Sequence, residues 1–217
     1  MAIHLFVGPS NIGKTFTIRE WLLPALLADP SQATQMAPPA GYSGALLHDP
    51  PTVKDPSGQY DGTLYDDVAE WRRAAKKPKV ARFANPSLRA LCEAAMEKGG
   101  VVLVLDEIDR LLPAVRPPAA EAAELIERGR HYGCLVVGGC RRLKSVHTSV
   151  RGNVEVAYFG NLADDDDRDY AASTAGINPS LLRGITQQGV FLEWNRATGS
   201  TALIRVQNRK RDIIKAL

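Results

Sequence analysis

Residues 6–18 read FVGPSNIGKTFTI, and no other stretch limits the possible fold so sharply. The apolar run AIHLFV stops at Gly8, four residues intervene, Gly13-Lys14-Thr15 follows, and a helical pattern, KTFTIREWLLPALL, begins at once. A strand, a tight loop and a helix in that order leave the loop's backbone N–H groups free to turn inward. Gly8 and Gly13 permit the turns that aim them at an anion, and the positive end of the helix points at the same place. Lys14 is expected to reach the β- and γ-phosphates of a nucleotide, and the Thr15 hydroxyl to ligate Mg²⁺. Gly8, Pro9, Ser10, Asn11, Ile12, Gly13, Lys14, Thr15 and Phe16 form the expected nucleotide-binding set, with ATP and Mg²⁺ as ligands. Four fixed positions match by coincidence in roughly one chain per hundred of this size, and the flanking strand and helix reduce that further.

The 217 residues are expected to form one domain with a sizeable core. With 27 basic and 24 acidic residues the formal charge is +3, too weak to argue for nucleic acid by itself. Cys92, Cys134 and Cys140 show no paired spacing, which suits free thiols in a reducing compartment. No stretch approaches a membrane span and the first residues lack the charged start of a signal peptide, so a cytoplasmic location is expected.

Strands are expected over 2–7, in GALLHDPP, KVARF, GGVVLVLDEID, CLVVGG and VEVAYFG, and in a hairpin over 189–206 formed by GVFLEW and TALIRV. Helices are expected over 14–27, within TLYDDVAEWRRAAK with Leu64, Val68, Trp71 and Ala75 on one face, over 87–97 behind Asn85 or Ser87, and over 119–130. The alternation implies an α/β fold with a mainly parallel sheet. Residues 28–62 read as a Pro/Gly-rich insert, 207–217 as a basic tail, and KKPK at 76–79 as a turn.

VVLVLDEID is an apolar strand, buried on both faces, that ends in acids. Acids there lie where ligands bind in open α/β sheets. Asp106 is expected to hold Mg²⁺ and Glu107 to orient and deprotonate an attacking water. That adjacent Glu argues against a nucleotide kinase, which loses by activating water. Arg128 and Arg130 precede the strand CLVVGG, and Arg141 and Arg142 follow it. Arginines flanking the site can donate a guanidinium to a neighbouring subunit's γ-phosphate, or can simply cap a helix end. Arg141, Arg142, Lys144 and Arg151 crowd one segment and suit sequence-independent contact with DNA phosphates, or form a solvated basic face. His131 and His147 fit neither a metal cluster nor a triad. The DDDD run at 164–167 reads as a helix N-terminus, where carboxylates complement the dipole.

The glycine loop, VLVLDEID, ERGRHYGCLVVGGCRR and VRGNVEVAYFGNLADDDDRDY together resemble the FtsK–HerA superfamily of P-loop ATPases. The likeness spans about residues 1–175 and is nearest to the small genome-packaging ATPases of tailless double-jelly-roll viruses. It implies a RecA-like fold with the sensor strand between the two phosphate-site strands, and a homo-oligomeric ring that translocates double-stranded DNA. Packaging further implies the host cytoplasm or virion as location, and a capsid vertex or portal-like membrane protein as docking partner. Family members place a Gln after the sensor strand, where this chain has Cys140, with Arg141 the nearest substitute. A cellular or plasmid DNA translocase, and a nucleotide-regulated assembly or secretion factor that never touches DNA, are the alternatives.

Overall fold

The computed structural model describes residues 2–28, 41–50, 58–208 and 210–217. Its strands are β1 (Ala2–Val7), β2 (Gly44–His48), β3 (Thr63–Tyr65), β4 (Val80–Phe83), β5 (Val101–Leu105), β6 (Leu135–Cys140), β7 (Val154–Phe159), β8 (Val190–Asn195), β9 (Thr201–Gln207) and β10 (Lys210–Ala216). They form one sheet in the order β10-β9-β8-β7-β1-β6-β5-β2-β4-β3. The strands from β7 to β3 run parallel, while β8, β9 and β10 add antiparallel strands at the other edge. The strand expected to act as sensor, β6, lies between β1 and β5, as the RecA-like arrangement requires. The central strands β5 and β6 are apolar throughout because both faces are covered, and every residue of both is buried.

Helices cover the two faces. The helix expected over 14–27 is α1 (Lys14–Thr17), a π turn over Ile18–Leu22, and α2 (Leu23–Leu27). The π turn sends the Leu23 N–H to the Ile18 carbonyl just before Pro24, which has no N–H to give. The face of this helix packs Ile18, Leu22 and Leu26 over Phe6, Tyr158 and Phe191. Phe6 stacks on Tyr158 at 4.3 Å and meets Phe191 edge-on at 5.6 Å. On the other face are α3 (Val68–Arg73), α4 (Leu88–Lys98), α5 (Ile108–Leu111) and α6 (Ala120–Arg128). They are joined there by α7 (Thr148–Gly152), α8 (Asp165–Ala175) and α9 (Ser180–Arg183). Ser87, not Asn85, caps α4, accepting from the Ala90 N–H at 3.1 Å. Cys92, Cys134 and Cys140 are buried free thiols.

Three expectations are corrected. The segment 63–76 is not one helix: Thr63–Tyr65 pairs with β4, leaving Leu64 exposed, and α3 starts only after Asp67 accepts the Glu70 N–H. Tyr65 is drawn into the core beside Phe83, and the Asp66 N–H, just before the capping residue, donates to the Glu70 carboxylate. Ala75 lies beyond the helix and is exposed. The interval 28–62 is not wholly an insert, since β2 runs through it as an inner strand; residues 29–40 and 51–57 lie outside the described residues. Nor is 207–217 a free tail. Ile213 and Ile214 sit in β10, and Arg211 grips Glu193 through two bonds of 3.1 and 2.6 Å. The charged neighbours of that Ile pair masked its strand character.

Phe191→Ala is expected to destabilise the fold by about 3–5 kcal/mol, since it empties the aromatic contact behind β1. Urea unfolding with an unchanged m-value checks it.

Candidate active site

The carboxyl ends of β1, β5 and β6 meet in one cleft because their registers match: Val7 lies beside Cys140, and Leu105 beside Gly138. The loop after β1 turns with Gly8, Asn11 and Gly13 at positive φ. Gly8 also makes room: a Cβ there, or on Gly160 at the end of β7, would strike the Ile12 side chain. Ile12 is therefore a buried peg under the loop and Gly160 is part of its socket. Lys14 Nζ donates to the Gly8 and Pro9 carbonyls at 2.6 and 2.8 Å. Burial lowers the Lys14 pKa, and the Asp106 carboxylate works against it.

Across the cleft, the Thr15 hydroxyl donates to Asp106 Oδ2 at 2.5 Å. Gly139 permits this approach, since a Cβ there would stand 2.6 Å from Asp106 Oδ1. The next residue, Glu107, adopts a left-handed backbone, φ 56°, at the start of α5 and its N–H donates to Asp106 Oδ1. Its carboxylate pairs with Arg110 at 2.6 Å and Arg141 at 3.6 Å. A non-glycine residue held in that region next to a cleft marks stored backbone strain.

The cleft, about 450 Å³, is lined by Ser10, Asn11, Gly13, Lys14, Thr15 and Phe16 from the loop side, and by Asp106, Glu107, Cys140 and Arg141 opposite. Gly8, Pro9 and Ile12 shape the loop from behind. Cys140 is buried, and burial pushes its thiol far up, so it is a neutral wall residue. The Thr15 hydroxyl and the Asp106 carboxylate are hard oxygen donors converging on one point, which fits Mg²⁺ completed by phosphate oxygens and water. Among the described residues no group of three His, Cys, Asp or Glu side chains could hold a metal by itself.

Other residues in the cleft wall escaped sequence reading, among them His48, Asp49, Tyr60 and Gln188. Asp49 directly follows β2, in HD after an apolar run, the same signature that marked Asp106, and that signal was legible. Tyr60 and Gln188 arrive from loops and carried none.

The arginines divide. Arg141 faces the cleft. Arg128 and Arg130 do not flank it in their own subunit: they precede β6, at the opposite end of the sheet, where Arg130 meets Glu155 at 3.5 Å. The strand between, six residues long, separates them from the cleft by about 20 Å. Arg142 pairs with Asp164 and Asp167, Lys144 with Asp167 at 3.2 Å, and Arg151 lies over the Tyr170 ring. The DDDD run is the N-terminus of α8, with Asp164 as its cap.

A glycine loop, an acid-tipped strand and an intervening sensor strand define a P-loop NTPase of RecA-like arrangement. No protein-family model and no curated protein matches the chain. Solved structures do, as folds. The genome packaging NTPase B204 of Sulfolobus turreted icosahedral virus 2, in complex with ATP-gammaS, superposes with a TM-score of 0.70 at 14% identity over 99% of this chain and 97% of its own. The N-terminal domain of zonular occludens toxin from Neisseria meningitidis gives 0.50 at 13%, over 100% and 94%. The pCW3 conjugation coupling protein TcpA gives 0.58 at 14%, over 95% and 60%. The resemblance read from the motifs thus extends to the architecture, including the antiparallel strands beyond residue 175.

Gly160→Ala is expected to cost about 1–3 kcal/mol by crowding Ile12. Adding Ile12→Val, which removes the struck methyl group, should recover most of that loss; a double-mutant cycle of thermal unfolding measures the coupling.

Proposed function

We propose that the chain is an ATP-hydrolysing motor that moves double-stranded DNA, packaging a viral genome into a capsid. The observation that carries the reading is the meeting of Lys14, Thr15, Asp106 and Glu107 in one cleft. The loop N–H groups and Lys14 bind the phosphates, with Lys14 leaving the Gly8 and Pro9 carbonyls for the phosphate oxygens. Thr15 and Asp106 would hold Mg²⁺, which when bound would neutralise charge on the phosphates. Glu107 takes the proton of the attacking water. Arg141, beside Glu107, replaces the missing sensor Gln as the group that registers the γ-phosphate. Arg128 and Arg130, remote from their own cleft, serve a neighbouring subunit's γ-phosphate in a homo-oligomeric ring.

Duplex DNA is the cargo, gripped through phosphates without sequence preference. Arg142 and Lys144 are tied to Asp164 and Asp167, so DNA must compete with the start of α8 for them. That links DNA contact to the tip of β6, where Arg141 stands. The host cytoplasm and a capsid vertex or portal-like membrane protein complete the packaging reading; no helix among the described residues is long and apolar enough to cross a membrane itself. The likeness to a conjugation coupling protein favours a second reading, DNA transfer for a plasmid or cell. ATP hydrolysis with and without duplex DNA tests both: a rate that DNA leaves unchanged points instead to an assembly factor.

Glu107→Gln is expected to reduce turnover at least a hundredfold while nucleotide binding stays, and Lys14→Ala to weaken binding itself; single-turnover assays and equilibrium titration separate the two. Mixing Arg130→Ala with Lys14→Ala subunits should restore turnover above either alone. Mixtures that assemble yet stay at the level of the singles exclude Arg130 and turn the test to Arg128. Neutralising Arg142 and Lys144 should lower duplex affinity on all sequences and flatten the slope of log affinity against log salt by ~0.9 per lost contact.

A further inference from the structure

The flank of the cleft facing the phosphate loop contains two buried polar atoms without hydrogen-bond partners among the described residues: Tyr60 Oη and His48 Nδ1. Buried polar groups ordinarily meet a protein partner, a water or an ion. Both residues line the cleft together with Asp106 and Glu107. His48 is the last residue of β2 and sits in register with Leu105 of β5, one residue before Asp106. The Tyr60 ring is 4% exposed, so the hydroxyl cannot turn out to bulk solvent.

The position of Tyr60 is held from several sides. The Asp49 carboxylate accepts the Gln59 N–H at 2.7 Å and the Tyr60 N–H at 3.2 Å, and also accepts from Arg82 Nε at 2.7 Å. Asp49 and Arg82 are themselves buried, at 2% and 8% exposure. Arg19 Nη1 donates to the Gln59 carbonyl at 3.0 Å. Gly58, at φ +85°, lets the chain pass so close that a Cβ there would strike Arg82 Nη2. A buried ion pair and three backbone contacts thus fix a phenol whose hydroxyl, near Asp106, has no partner within hydrogen-bond distance among the described residues. Burial, then the nearby Asp106 and Asp49 carboxylates, raise the phenol pKa well above its usual value, and Asp106 also favours the protonated hydroxyl as an acceptor.

We infer that Tyr60 and His48 are positioning residues that hold water of the Mg²⁺ hydration shell on the side of the ion away from the phosphate loop. The assignment rests on the nucleotide reading above. Thr15 and Asp106 would hold that ion, Asp106 through a water; Mg²⁺ dehydrates reluctantly and keeps several waters, which need acceptors and donors of their own. The Tyr60 hydroxyl and a ring nitrogen of His48 supply them from a rigid wall. Groups in this position orient the primary ligands, and their loss typically weakens metal binding 10–100-fold.

The test is an equilibrium titration of ATP-gammaS into wild type, Tyr60→Phe and His48→Ala, with EDTA and at graded Mg²⁺. Metal-free nucleotide affinity should be the same for all three. The Mg²⁺ concentration for half-maximal tightening should rise about tenfold in each variant. Without metal, the thermal midpoint of Tyr60→Phe should stay close to that of wild type, because the lost hydroxyl has no partner within hydrogen-bond distance among the described residues. If His48→Ala folds poorly, Tyr60→Phe decides the matter. A responsive wild type with a Tyr60→Phe variant of the same Mg²⁺ dependence overturns the inference alone. A wild type that binds nucleotide identically with and without Mg²⁺ overturns the metal assignment of Thr15 and Asp106, and this inference with it.

Discussion

The hydrogen bond from Thr15 to Asp106 spans residues 91 apart in the chain, and most of the architecture exists to make it possible. It requires β1 and β5 to end at one level with β6 between them, and it requires β6 to carry no side chain at Gly139. A β-branched residue there would suit strand propensity but push Asp106 out of reach. Gly138 repeats the theme one residue earlier, where a Cβ would meet Ile108 at 3.0 Å. Two glycines in the middle of a buried strand weaken its packing, and here they bring the acids of the β5 tip and the first turn of α5 against the sheet.

The cleft's charge is arranged in close pairs. Glu107, strained at its backbone, shares its carboxylate between Arg110 and Arg141. Lys14 is held by carbonyls, and Asp106 by a hydroxyl and an N–H. Farther out, the acidic start of α8 draws in Arg142 and Lys144. The net charge of +3 therefore says little about any surface: of the basic residues counted as a patch in the sequence, Arg142 and Lys144 are matched to acids some 20 residues away, Arg141 to Glu107, and Arg151 to the Tyr170 ring.

What the sequence disclosed was whatever one segment encodes by itself. Ala2 to Thr15 and Val101 to Glu107 each contain strand, turn and functional group in consecutive residues, so both halves of the site and the parallel sheet were legible. Tertiary pairing hid the rest. Leu64 reads as helix because its spacing to Val68 is right, yet ladder bonds to β4 take Thr63–Tyr65 first. Ile213 and Ile214 look like part of a charged tail until β9 supplies a partner. Arg128 and Arg130 seemed to flank the site because they adjoin β6 in sequence, but a strand has two ends. Tyr60 enters the cleft only because Asp49 and Arg82, on neighbouring strands, clamp its backbone.

The placement of Arg128 and Arg130 sets the kind of assembly that the proposed sharing of an arginine between subunits would require. The cleft lies at the carboxyl ends of the strands, and Arg128 and Arg130 lie at the amino ends. A guanidinium from one copy that reaches the cleft of another joins two different patches, so the contact is heterologous. A single two-fold pairing through identical patches leaves that donor and acceptor unmatched. Only repetition satisfies both on every copy, closing as a ring where the rotation allows and running on as a helical filament where it does not.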